Sequence, residues 1–335
     1  MRLLYLALLT FSLVACSTDT QVSANTLLAN SNVRQLARVH STGSDEPQFS
    51  EFIINSNEIN ESSGLARSHR NPNLLWTRND SGGETAIYAL TTEGAMLASV
   101  HLKGIGVVNL DWEDMASFSQ NGKAFLLVGD IGDNMAFRPT LTYYLLEEPE
   151  IEVSAPGPQR LVAEVIATYT VRLPDAPRDI ESLAVDASSQ TAYMISKRDN
   201  EPALYSFSLA RPIPGVLQAP LVATNLGKIN IPRAPADYPG SPETYNWVTS
   251  MDISANGLAA YVGTLSHGYR YVRRPEQTWQ EAFGNNPEQI ALPPYTQIEA
   301  GAFASDSDSD SDDEIYITSE NLPGRLAQLR FNLFH

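Results

Sequence analysis

A single cysteine, Cys16, stands in a chain of 335 residues. No intramolecular disulfide framework is therefore open to it, and the fold must rest on packing. Basic residues are scarce: 22 Lys and Arg face 39 Asp and Glu, a formal net charge of −17. Nucleic-acid phosphates repel such a chain, which excludes nucleic acid as a partner and favours cations or metal-bridged anions. No apolar run reaches the about 20 residues that a membrane-spanning helix needs. Gly-x-Ser-x-Gly, His-Glu-x-x-His and a phosphate-cradling glycine loop are all missing, and with them three common catalytic or nucleotide-binding signatures. No segment holds a helical period over several turns, which argues against a helical fold.

What is present starts at the N-terminus. Met1-Arg2 followed by the apolar residues 3–14, broken only by Thr10 and Ser12, has the pattern of a secretory signal over residues 1–15. It ends in Leu13-Val14-Ala15-Cys16, the form of a lipobox, so the lone cysteine falls where a diacylglyceryl group is attached. Buried acyl chains contribute roughly 0.8 kcal/mol per methylene, and several together anchor a protein to a membrane permanently. Ser17 stands where an aspartate favours retention at the inner membrane. By resemblance to the sorting of Gram-negative lipoproteins, the expected location is the outer membrane, on its periplasmic or surface side. Residues 16–46 are polar and irregular and read as a flexible tether. Residues 47–335 read as one domain, and an apolar fraction of 43% over the chain is ample for a core.

Within that domain a short motif recurs: a polar residue, a small one, then apolar residues. Its copies are Trp112-Glu113-Asp114-Met115-Ala116, Ile180-Glu181-Ser182-Leu183-Ala184 and Ile298-Glu299-Ala300-Gly301-Ala302. A weaker copy, Val248-Thr249-Ser250-Met251, has Thr249 in place of the glutamate, and Glu61-Ser62-Ser63-Gly64-Leu65-Ala66 is offset by a residue or two. After each copy come a turn, a second apolar strand such as Phe125-Leu126-Leu127-Val128, and a third such as Leu141-Thr142-Tyr143-Tyr144. Even spacing of short strands predicts an all-β repeat protein, a single β-propeller of five four-stranded blades, with six as the alternative. Fourth strands are expected at residues 96–102, 161–171 and 217–229, and near 289–292. The fifth blade runs out of chain, so residues 48–54 are expected to supply its last strand and join the two ends. The Ser-Asp alternation at 305–313 reads as a solvated hairpin loop, and the proline-rich stretch 232–245 as a long loop into the fourth blade.

Blade geometry places the chemistry. Residues that open the first strand and close the second share one face, which brings Glu113 to Asp130, Glu299 to Glu320, Glu61 to Asp80, and Glu181 to Lys197 and Arg198. The loops that follow add Asp133, Asn134 and His267. Carboxylates crowded around one mouth call for a cation or a proton. Gly129-Asp130-Ile131-Gly132-Asp133-Asn134 supplies oxygen donors on a glycine-loosened turn, so Glu113, Asp130, Asp133 and Asn134 are the expected metal ligands and Ca2+ the expected cofactor. Glu61, Asp80, Glu181, Lys197, Arg198 and Glu320 complete the ligand face. The alternative is that these acids cap turns and bond neighbouring backbone. Should the site be catalytic, His267 or Glu299 is the candidate base.

The stretches Glu61-Ser62-Ser63-Gly64-Leu65-Ala66, Asn79-Asp80-Ser81-Gly82, Asp111-Trp112-Glu113-Asp114 and Gly129-Asp130-Ile131-Gly132-Asp133-Asn134 resemble the signature of a family of secreted bacterial β-propellers to which no activity is assigned. The resemblance covers roughly residues 55 to 330. More distantly the chain is similar to phytase-like and gluconolactonase-like propellers, a likeness that implies calcium binding and hydrolysis of phosphoesters or lactones. Thr249 and the Ser-Asp insertion depart from that pattern. Three readings follow: a lipid-anchored propeller that binds a cation and a protein or small anionic ligand, a calcium-dependent hydrolase, or a protein-interaction scaffold.

Overall fold

The computed structural model describes residues 38–40, 48–210, 219–304, 314–320 and 322–330. The signal segment 1–15, Cys16, most of the tether and the Ser-Asp stretch 305–313 lie outside the described residues. The regular structure among those described is nearly all strand; the helical elements among them are one turn each, Thr244–Asn246 and Trp279–Phe283. No helix among them is long and apolar enough to cross a membrane.

The strands form four-stranded antiparallel units, each a meander from the inside outwards. The first comprises Ser62–Arg67, Leu74–Asn79, Ala86–Thr91 and Met96–Lys103; the second Trp112–Gln120, Lys123–Asp130, Leu141–Glu147 and Gln159–Arg172. The outer strands of these two pair in parallel, from Gln159 opposite Ala98 to Glu164 opposite Lys103. The third unit holds Ala184–Asp186, Thr191–Ile195, Ala203–Ser208 and Thr224–Lys228, and the fourth Val248–Ile253, Ala259–Thr264, Gly268–Val272 and Glu288–Ile290. In the last unit Ile298–Phe303, Glu314–Ser319 and Arg325–Arg330 come from the C-terminal end, and the fourth strand is Gln48–Ile53. That closing strand runs antiparallel to its partner, Gln48 opposite Arg330 and Ile53 opposite Arg325. A further strand, Arg38–His40, pairs with it from within the stretch read as tether.

Innermost strands touch in sequence order around a ring, and Ile298–Phe303 returns to Ser62–Arg67. The ring closes, and the fold is a β-propeller. Packing follows from that geometry. Blades stack face to face, so inner strands are buried on both sides, as in Ser62–Arg67 and Ile298–Phe303. Continuous burial thereby replaces the in-and-out alternation of a half-exposed strand. Sustained alternation is seen at the periphery, in Gln159–Arg172. Each seam has its own apolar cluster: Trp76 with Trp112, Tyr143 with Phe207, Leu204 with Tyr269, Tyr261 with Ile317, and Leu65 with Tyr316. Full burial of one such aromatic contributes about 1.5–3 kcal/mol, so the seams carry the stability that disulfides do not.

Candidate functional site

The motif opens each inner strand, and there the register slips. Shifts fall between Ser62 and Gly64, Trp112 and Met115, Val248 and Ser250, and Ile298 and Ala300. In the third blade the same place is an isolated bridge, Ile180 to Ser196. A bulge leaves its extra residue unpaired and re-aims the side chain. The residues released this way are Ser63, Glu113, Glu181, Thr249 and Glu299. Three of them are glutamates that line one cavity of about 240 Å³ together with Ser63. Asp80 and Glu320, directly after their second strands, and Lys197, after the bridge residue Ser196, join them. Blade alignment also resolves the offset first motif, because Ser63 occupies the glutamate position and Glu61 sits exposed at the rim.

Beneath the cavity the ring is stitched by buried acids. Asp114, fully buried, accepts the Leu183 N–H at 2.8 Å and the Met251 N–H at 3.2 Å, tying the second blade to the third and fourth. Asp252 accepts the Phe303 N–H at 2.9 Å and that of Ile253 at 2.8 Å. Thr249, in place of glutamate, donates its hydroxyl to the Ile298 carbonyl at 2.8 Å. The backbone-bonding role expected of the motif glutamates thus falls to the aspartate beside one of them, and the glutamates point into the channel.

Asp80, Asp111 and Glu113 each offer an oxygen within 4.8 Å of the others, and the group could hold a metal ion. Glu113 enters it through the bulge. Its Oε2 accepts the Ser63 hydroxyl at 3.0 Å and faces Arg78 Nη2 at 3.5 Å. Asp111 sits two residues earlier, and its backbone carbonyl accepts the N–H groups of Ile131 and Gly132 at 3.0 and 3.1 Å. Gly132 is essential to this approach: a Cβ there would lie 2.5 Å from Asp111 Oδ2 and 2.6 Å from Glu113 Oε1. Burial, then repulsion from Asp80, pushes the Asp111 carboxyl up to about 6. Burial and the Glu181 charge drive Glu113 well above the carboxylate range, against the pull of Arg78. Crowded carboxylates that retain protons are a site in which a cation replaces those protons.

A second charge group adjoins the first. Lys197 is hydrogen-bonded to Glu181 and lies 4.0 Å from Glu299. Burial works against its ammonium, but the surrounding glutamates outweigh burial and hold it charged. One cation cannot satisfy both acids. Burial pushes Glu299 up to about 8 and Glu181 to about 7, with Lys197 opposing both shifts. Glu320 is raised as well, by burial and by Asp80. Arg198 bonds Asn134 and, at 2.5 Å, Asp179, and its guanidinium stacks 4.3 Å from the Trp247 ring.

The structure separates the expected ligands. Glu113 is in the acidic group and Asp80 joins it from the ligand face, whereas Asp130 pairs with Arg138 at 2.8 Å and caps the N–H groups of Leu110 and Asp111. Asp133 accepts the Arg138 N–H through Oδ2, and its buried Oδ1 has no hydrogen-bond partner among the described residues. Asn134 is exposed and turned to Arg198. His267 is stacked among tyrosines, 4.4 Å from the Tyr245 ring, and burial lowers its pKa. Its Nδ1 meets the Ser266 hydroxyl at 2.8 Å. Asp111, Ser63 and Arg78 were not singled out by sequence. Asp111 had a signal, since it stands two residues from Glu113 in an extended segment and so shares its side.

No known family model and no curated protein matches the sequence. Among solved structures the chain resembles the major allergen Mala s 1 of Malassezia sympodialis, at a TM-score of 0.50 and 10% identity over 85% of this chain and 98% of that one. A luciferin-regenerating enzyme gives 0.41 and 12% over 84% and 95%, and a nidogen–laminin complex 0.40 and 8% over 77% and 72%. At such identity the likeness to Mala s 1 speaks to fold alone: this chain is a β-propeller with an acidic, metal-competent group at one mouth of its channel.

Proposed function

We infer that this protein is a lipid-anchored propeller of the bacterial cell envelope that binds calcium at the acidic mouth and uses it to hold an anionic ligand. The observation that carries the reading is the convergence of Asp80, Asp111 and Glu113 within 4.8 Å. Two calcium–oxygen bonds of about 2.3–2.6 Å span that separation, and the donor set is hard oxygen throughout. Three protein carboxylates leave positions for water or for a ligand oxygen. Lys197 and Arg198 line the same cavity and supply positive charge for an anion bridged to the ion.

Calorimetric titration with calcium, with magnesium in parallel, tests this. One saturable calcium site with Kd of about 10⁻⁴ to 10⁻³ M is expected, and Asp111→Asn abolishes it. Absence of calcium heat in the unmodified protein would refute the reading. Labelling with a radioactive fatty acid, lost in Cys16→Ser, tests the anchor separately.

A hydrolytic version of the reading is favoured by one feature, a Glu299 carboxyl that keeps its proton to about 8 at the cavity wall. That group suits a general acid beside a metal-bound ligand. Turnover of a model phosphoester or lactone that falls at least a hundredfold in Glu299→Gln supports it; an unchanged rate removes it.

A further inference from the structure

Two adjoining loops on the acidic face display large apolar side chains to solvent. Residues 104–111 carry Ile105, 102% exposed, and Leu110, 64% exposed; residues 131–140 carry Met135 at 80% and Phe137 at 70%. The loops are zipped together. Leu110 N–H reaches Asp130 Oδ2, and the Asp111 carbonyl accepts from Ile131 and Gly132. Neither loop is loosely held. Ala136, between Met135 and Phe137, adopts φ of +50°, a left-handed conformation that a non-glycine residue takes only when its surroundings enforce it. Enforcement comes from Asp133, whose carbonyl accepts Ala136 N–H at 2.7 Å and whose carboxylate accepts Arg138 N–H at 2.7 Å. The Arg138 guanidinium then bonds the Gly132 carbonyl at 2.7 Å and the Asp130 carboxylate at 2.8 Å. The loop tip is thus prebuilt to hold Met135 and Phe137 outward.

Methionine and phenylalanine are enriched at the centres of protein interfaces, and preorganised loops lose little entropy on docking. The charge beside the patch selects the occupant. Leu110 is followed directly by Asp111, and Asp80 and Glu320 line the adjacent mouth. A second copy would bring the same acids face to face, and an anionic lipid surface would be repelled by them.

We propose that this rim docks a protein segment in which apolar residues flank a lysine or arginine, the apolar groups covering Met135, Phe137 and Leu110 and the basic group reaching the half-buried carboxylates of the mouth. This partner chemistry does not depend on the calcium reading. Where calcium binds as well, the ion and the basic side chain compete for Asp80 and Asp111.

The probe is a set of fluorescent cyclic octapeptides in EDTA, one with arginine between leucine and phenylalanine, one with glutamate for arginine, and one with serines for the apolar pair. Anisotropy should show micromolar binding of the first peptide alone. Met135→Ser with Phe137→Ser should weaken it at least tenfold at an unchanged melting temperature, since both side chains are exposed. Raising salt from 50 to 500 mM should weaken it several-fold, and so should 10 mM calcium if calorimetry has shown the ion to bind. Equal binding of all three peptides, or of none, overturns the proposal. So does sedimentation showing dimers that dissolve in the double variant, or cosedimentation with phosphatidylglycerol vesicles that the variant loses. Calcium heat without peptide binding sinks this proposal alone; peptide binding without calcium heat sinks the calcium reading alone.

Discussion

Substituting Gly132 by alanine isolates the acidic group from the rest of the fold. Gly132 lies outside the left-handed region that favours glycine, so alanine is tolerated by the backbone and only the new methyl matters. That methyl would stand 2.5 and 2.6 Å from oxygens of Asp111 and Glu113, where an ordinary contact is about 3.4 Å. Both carboxylates must retreat by nearly 1 Å, several times the about 0.2 Å that a coordination shell tolerates. In the unmodified protein, calcium at about a hundred times Kd stabilises the folded state by about 2.7 kcal/mol. Unfolding entropy near about 2.1 cal/mol/K per residue over Arg38–His335 is about 0.6 kcal/mol/K, so the melting temperature should rise by about 4 °C. In Gly132→Ala the basal melting temperature should drop by about 2–5 °C, from about 1–3 kcal/mol of overpacking, and the calcium shift should vanish. Differential scanning calorimetry with and without 10 mM calcium reads both quantities. A variant that melts with the full calcium shift would show that the ion, if bound, sits elsewhere.

Raised carboxyls set the pH response. Asp111 and Asp252 near 6, Glu181 near 7 and Glu299 near 8 all exceed their unfolded values. Their stabilisation is complete below the unfolded pKa and lost as pH rises through the folded one, so melting in EDTA should fall from pH 5 to 8. His267, lowered by burial, opposes this weakly near its ordinary value, and a melting temperature that climbs across the window would contradict the assignment. Calcium should close the gap at high pH, with proton uptake by buffer visible as buffer-dependent heat. Lys197→Met leaves Glu181 and Glu299 without their buried cation and should cost about 3–5 kcal/mol in urea denaturation; a loss under about 1 kcal/mol would mean the acids are already neutral. Asp114→Ala strips acceptors from Leu183 and Met251 and should cost about 1–3 kcal/mol for each buried donor left unmet. A denaturation midpoint unchanged from the parent would contradict its stitching role.

The repeat carried the fold because blades are local: strand, turn and strand recur within reach of a short motif, and even the closing strand at 48–54 was readable as the piece missing from the last sheet. The candidate site was readable only to the level of a face. Asp130 looked like a ligand because its neighbours are glycine and acids, yet Arg138, eight residues on, occupies it. Nothing in the residue types distinguishes a carboxylate aimed at a guanidinium from one aimed at a channel. Bulges decide that, and they depend on cross-strand register, which the linear pattern of the first motif left ambiguous between Glu61 and Ser63. His267 was similarly hidden, since its tyrosine neighbours Tyr238 and Tyr245 arrive from a loop more than twenty residues upstream.

The pairing of Gln48–Ile53 with Arg325–Arg330 also imposes an order in time. At about 5–20 residues per second of synthesis, the first of these strands waits tens of seconds for its partner to exist. Throughout that interval its hydrogen-bonding edge is open to any other extended chain. Ring closure cannot precede the last strand and is the longest-range pairing of the sheets, the slow kind. A chain that ends before Arg325 would keep most of its blades and still have no way to shut.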